Sequence, residues 1–140
     1  MTTPPFDRTV CVCSRCIACC ARPAPLIPDD LVRIARFRHQ EVEELILDLQ
    51  PGRGAIVVNW TTGRLLRIPT LIPRTRNGRC VFLEDGDCCA IHPVAPFGCA
   101  YFDVHLDHAE ANRRSAWGHQ LMLDPAFQDL IFQLTLRPAA

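Results

Sequence analysis

Nine cysteines stand in this chain, and five of them fall within residues 11–20, Cys-Val-Cys-Ser-Arg-Cys-Ile-Ala-Cys-Cys. A stretch this dense in thiols makes a disulfide framework, a metal site or a redox pair. The run Cys13-x2-Cys16-x2-Cys19, followed at once by Cys20, favours a metal. A two-residue gap lets the backbone turn so that two thiolates converge on one ion at about 2.3 Å. Two overlapping gaps of this kind are a strong signal. Nine is also an odd number, so a closed disulfide set would leave one thiol over. The opening residues "MTTPPFDRTV" lack the apolar run of a signal peptide. No window approaches the ~20 apolar residues of a membrane span. The expected compartment is therefore the cytoplasm, where thiols stay reduced and clustered cysteines read as ligands.

A second cysteine region, "CVFLEDGDCCAIHPVAPFGC", spans residues 80–99. A zinc ribbon would need a second C-x2-C there, but eight and nine residues separate Cys80, Cys89 and Cys99. The bacterial ferredoxin run C-x2-C-x2-C-x3-C-P matches the first block for three cysteines, and its fourth position is Pro23. The remaining ligand must therefore come from Cys20 or from the second region. Adjacent residues diverge in regular backbone, so Cys19 and Cys20 either divide between ligation and packing or share a polynuclear centre.

Other chemistry is thinly represented. His105-x2-His108 offers two imidazoles on one helical face, but no H-E-x-x-H protease motif is present, and a surface role is at least as good a reading. His92 follows Cys89 by three residues and reads better as a packed side chain than as a ligand. The chain has neither a Gly-rich phosphate loop nor a G-x-S-x-G elbow. All fifteen basic residues are arginine, so no lysine exists for Schiff-base chemistry. A formal net charge of +0 argues against non-specific nucleic-acid binding. A buried tetrathiolate centre carries net negative charge and needs N–H donors or arginines nearby. Arg15, Arg22 and Arg79 flank the cysteines and suit that task.

The elements that must position these residues can be read from pattern. Hydrophobic residues make up 49% and charged residues 21% of the 140 residues, the balance of one globular domain. Residues 1–10 read as a loose tail. The segment "DDLVRIARFRHQEVEELILDLQPG" has helical spacing, with Asp29 or Asp30 as N-cap and Pro51-Gly52 as a stop. Arg36 and Arg38 interrupt its apolar face, so a break is expected near residues 38–40. "GAIVVNWTTGRLLRIPTLIP" predicts a β-hairpin turning at Thr61–Gly63, its return strand ending near Pro69. The Glu-Asp-Gly-Asp turn of the second region is expected to bring Cys80 and Cys89 face to face. Asp124-Pro125 separates two C-terminal helices, the second with an apolar stripe of Phe127, Leu130, Ile131 and Leu134.

The two blocks together resemble the CxxCxxCC, or YkgJ-type, cysteine-cluster proteins, a family of zinc- or iron-chelating domains. The first block contributes Cys13, Cys16, Cys19 and Cys20. The second contributes Cys80-Val-Phe-Leu and then Cys89-Ala-Ile-His-Pro-Val-Ala-Pro-Phe-Gly-Cys99. The helix start "DDLVRIA" is similar as well. Where the family has Cys-x-Ile-Tyr, Arg-Pro and Cys-Arg, this chain has Cys89-Ala-Ile-His92, Ala95-Pro96 and Cys99-Ala100. Two usual arginines are thus absent. Cys11 and Cys88 lie outside the pattern and read as incidental thiols. The same cluster occurs in flagellin lysine methylases linked to an iron–sulfur centre. The resemblance implies a metal centre held by Cys13, Cys16, Cys19, Cys20, Cys80, Cys89 and Cys99.

The expected fold is α+β, a small single domain with helices around a short β-hairpin and two cysteine-rich loops joined at the metal. The expected centre is an iron–sulfur cluster in a redox or accessory module. The alternatives are a structural zinc site and an enzyme or accessory of methyl transfer. The expected partner is a redox protein or an enzyme, and neither nucleic acid nor membrane is expected. No residue is assigned a catalytic role.

Overall fold

The computed structural model describes residues 4–8, 23–84, 88–102 and 106–137. Helix α1 runs Pro28–Phe37 and starts on a proline, whose missing N–H costs nothing in a first turn. Its N-cap is Ile27, not Asp29 or Asp30. Asp30 stands three residues further in and reaches back, so that the Ile27 N–H donates to its Oδ2 at 2.9 Å. The pattern marked the right turn, but the proline set the boundary. Ile34 and Ala35 face inward. The helix breaks where the interrupted apolar face predicts, at His39, which adopts a left-handed φ of 53°.

One turn of helix, α2 (Val42–Ile46), follows. The sequence keeps helical spacing to Leu49, yet Leu49–Pro51 is strand β1 and pairs antiparallel with β4, Leu71–Pro73. A distant partner strand supplies those backbone hydrogen bonds and overrides the local preference. Between them lies the expected hairpin, β2 (Ala55–Asn59) against β3 (Arg64–Arg67). The Asn59 side chain accepts from the N–H groups of Thr61 and Thr62, and Gly63 takes a φ of +74° that favours glycine. The return strand ends at Arg67, two residues before the expected proline.

Four shorter strands carry much of the second cysteine region. They are β5 (Thr75–Arg76), β6 (Arg79–Cys80), β7 (Leu83–Glu84) and β8 (Cys88–Cys89). Among the described residues the strands form four two-stranded antiparallel pairs. A 3-10 turn at His92–Val94 leads into α3, Phe97–Ala100. Helix α4 (His108–Met122) starts on Asp107, which accepts from Ala109 and Glu110. Helix α5 (Pro125–Thr135) starts on Asp124, which accepts from Phe127, as the Asp-Pro pair predicts.

Helix α4 packs on β2, α5 on β1, and α1 on α2 and the 3-10 turn. The enclosed core includes Leu26, Ile27, Ile34, Leu45, Leu49, Leu71, Ile91, Phe97, Met122 and Ile131. The architecture is α+β, as expected. Among the described residues no helix is long and apolar enough to cross a membrane.

Candidate metal centre

The second cysteine block is built from two hairpins and a short helix. Cys80 is buried and lies opposite Thr75 in the β5–β6 pair. In the β7–β8 pair Leu83 opposes Cys89 and Glu84 opposes Cys88. Cys80 and Cys89 are therefore not cross-strand partners, contrary to the expectation. The chain between Cys80 and the turn supports two separate pairs instead of one long ladder. Successive strand residues point to opposite faces. Accordingly Cys88 is exposed, while Cys89 is half-buried and packs against the core. Cys99 is half-buried on α3. Cys11, Cys13, Cys16, Cys19 and Cys20 lie outside the described residues, as do Arg15, Arg22 and His105.

The first block's C-terminal flank is fastened to this second block. The Gly98 N–H donates to the Pro25 carbonyl at 3.0 Å. A Cβ at Gly98 would come within 2.6 Å of the Ala24 Cβ and 2.7 Å of the Pro25 Cδ, so only glycine permits this approach. Asp30 completes the joint. Its Oδ2 accepts from both Ile27 N–H and Phe97 N–H, each at 2.9 Å. Its Oδ1 accepts from Arg33 at 3.0 Å. The side chain is fully enclosed, and burial pushes its pKa up to about 6. The two backbone donors and the charges of Arg33 and Arg8 pull the other way.

The N-terminal flank is fastened to the same place. Residues 4–8 fall within the segment read as a tail, but they lie against α4, Tyr101 and the 3-10 turn. The Phe6 ring meets Trp117 edge-on at 5.5 Å, and the guanidinium groups of Arg113 and Arg114 sit over it at 4.8 and 5.2 Å. Buried Arg114 donates to the Asp7 carbonyl at 3.1 Å and to the Tyr101 carbonyl at 2.9 Å. Glu110 accepts from Arg114 at 3.0 Å and holds its Nε. Hydrogen bonds from Arg113 and then Arg114 keep the Glu110 carboxyl down at about 2. Arg8 reaches the His92 carbonyl at 3.1 Å, its guanidinium 5.7 Å from the Tyr101 ring centre.

The remaining candidates separate from this joint. His92 does not fill an interior site as expected; its side chain is exposed, because the 3-10 turn presents it outward. His108 is exposed at the start of α4, with Nδ1 3.4 Å from Thr61 Oγ1. Arg79 is exposed. Asp30 and Arg114 went unnoticed in their joining roles. The sequence signals for them are slight: an aspartate two residues after Pro28, and a paired Arg113-Arg114 after Glu110. Among the described residues no three His, Cys, Asp or Glu side chains form a group able to hold a metal ion.

No curated protein and no solved structure matches the chain. A family does match, over residues 12–118, about three quarters of the length and both cysteine blocks. It is described as a putative zinc- or iron-chelating domain. That description supports metal binding, and the chain belongs to the CxxCxxCC family.

Proposed function

We propose that the two cysteine blocks meet at one thiolate-ligated centre, an iron–sulfur cluster, and that the protein works as a redox or accessory module built on it. One observation carries this reading: both flanks of the first block are tied to the second. Arg8 stands three residues before Cys11 and bonds the His92 carbonyl. Ala24 stands four residues after Cys20 and lies against Gly98, the neighbour of Cys99. Covalent length alone, at most about 3.5 Å per residue, keeps Cys19 and Cys20 within about 18 Å of Ala24.

The donor set favours a cluster over a single ion. Seven cysteines match the family pattern, more than the four that either one structural zinc or one iron–sulfur cluster takes, so it is their spacing that discriminates. The triplet Cys13, Cys16 and Cys19 has ferredoxin spacing, and thiolates at that spacing hold iron–sulfur centres. Such a centre supplies one-electron chemistry when bound. Cys89 and Cys99 are half-buried, which suits thiolates that must be reached by iron yet shielded from bulk water. Arg8, fixed beside Tyr101, adds positive charge near the second block.

Protein purified without oxygen tests the reading. It should be brown, contain iron and acid-labile sulfide in comparable amounts, and bleach reversibly on reduction with dithionite. Colourless protein with stoichiometric zinc, taken from iron-replete cells, would overturn the cluster and leave a thiolate zinc site.

A further inference from the structure

A cavity of about 230 Å³ lies between the β2–β3 hairpin, α4 and α3, and the metal-binding reading makes no use of it. Its walls include Pro25, Val57, Trp60, Gly98, Phe102 and Ser115, and among the described residues none that lines it is charged. Protein interiors are close-packed, so lining atoms around a space of this size forgo contacts that a fitting group would restore. An apolar cavity of about 150 Å³ takes benzene, so this one has room for a substituted single ring.

Trp60 makes the cavity more than a packing defect. It is 38% exposed, yet it is held at three points. Its backbone N–H donates to Asn112 Oδ1 at 2.7 Å, and its indole N–H donates to Ser115 Oγ at 3.0 Å. Its ring stacks on Phe102 with centroids 5.5 Å apart. An aromatic wall fixed in advance lowers the ordering cost of binding. Ser115 contributes one hydroxyl to an otherwise apolar lining, the pattern of small-molecule pockets. Pro25 and Gly98 form the wall shared with the joint between the cysteine blocks.

We infer that this cavity binds the uncharged end of a small molecule carrying one aromatic ring, seated against Trp60 and Val57 beside Gly98. Among the described residues the lining offers no charge to pair with an ionised ring substituent, so a neutral ring is the better fit. The inference does not rest on the identity of the metal.

Saturation-transfer NMR on the full chain tests it, with toluene as probe and benzoate as its charged counterpart. Toluene should bind saturably, and benzoate at least tenfold more weakly. Val57→Trp fills the cavity, and Trp60→Ala removes its fixed wall; each should weaken toluene at least tenfold, with folding checked by thermal melting. Leu136→Ala, an exposed position at the end of α5 outside the lining, should leave binding unchanged. Absent saturable toluene binding, equal binding of benzoate, or indifference to either folded variant would overturn the pocket. Metal content is measured on the same samples. Toluene binding lost from metal-loaded wild type sinks the pocket alone, and metal absent from toluene-binding protein sinks the metal reading alone.

Discussion

Asp30 and Phe97 lie 67 positions apart and share one hydrogen bond, 2.9 Å from the Phe97 amide nitrogen to Oδ2. The same oxygen accepts from Ile27. One enclosed carboxylate thus binds the segment leaving the first cysteine block to the helix that carries Cys99. A buried backbone N–H without an acceptor is costly, so this joint is specific as well as strong. Asp30→Ala should unpair both N–H groups and cost about 2–5 kcal/mol in urea unfolding. Metal content after purification should fall with it. Unchanged stability would show that the two segments are held elsewhere.

The same carboxyl makes stability depend on pH in a definite direction. Its pKa rises from 3.8 unfolded to about 6 folded, so between these values the native state binds more protons. Stability from this group is therefore fully present below about pH 4 and falls as pH rises through about 6, by on the order of 3 kcal/mol. Asp30→Asn should lack that slope. Urea unfolding of wild type and variant from pH 4 to 7, at matched metal content, reads the difference. Glu110 acts oppositely: its contribution is present above pH 4.5 and is lost as pH falls toward about 2. It cancels from the comparison.

Gly98→Ala should push Ala24 and Pro25 off α3, because the added methyl meets both within 2.7 Å. Overpacking of this kind costs about 1–3 kcal/mol. The distinguishing result is a drop in metal content larger than that of an equally destabilising core change such as Ile131→Val. Equal drops would mean that Gly98 matters for packing alone.

Arg114→Ala should release residues 4–8 from Tyr101 and expose the Phe6 ring. Loss of its bonds to two carbonyls and to Glu110 is worth about 2–4 kcal/mol. Hydrogen exchange should speed up at residues 6–8 and at the start of α4. Arg114→Lys should recover only part, because a single ammonium cannot fork across three acceptors. Full recovery by lysine would reduce the joint to simple charge.

Within the second block, Cys99→Ser and Cys89→Ser should each cut metal content sharply, while Cys88→Ser should retain it. The strand register underlies this split, since Cys88 and Cys89 occupy opposite faces of β8 and only Cys89 turns toward the core. Metal analysis of the three variants decides it. Loss in Cys88→Ser alone would place the ligand on the outward face.

What the sequence settled was local. Asp124-Pro125 marks the boundary between the last two helices because cap and proline chemistry act within one turn. The Asn59–Gly63 turn follows from a side chain acting on its own backbone, and the break after Phe37 from the arginines that interrupt the apolar face. The cysteine pattern identified the family because ligand spacing is written along the chain. What only the tertiary structure decided involves partners far apart in sequence. Leu49 left its helical pattern to pair with a strand more than twenty residues on. Ile27 displaced the aspartates as cap, freeing Asp30 to accept from Phe97. Residues 4–8, without apolar periodicity of their own, were ordered by Arg114 and Trp117. Such contacts depend on which surfaces meet once the core closes, and no residue's own preferences encode that meeting.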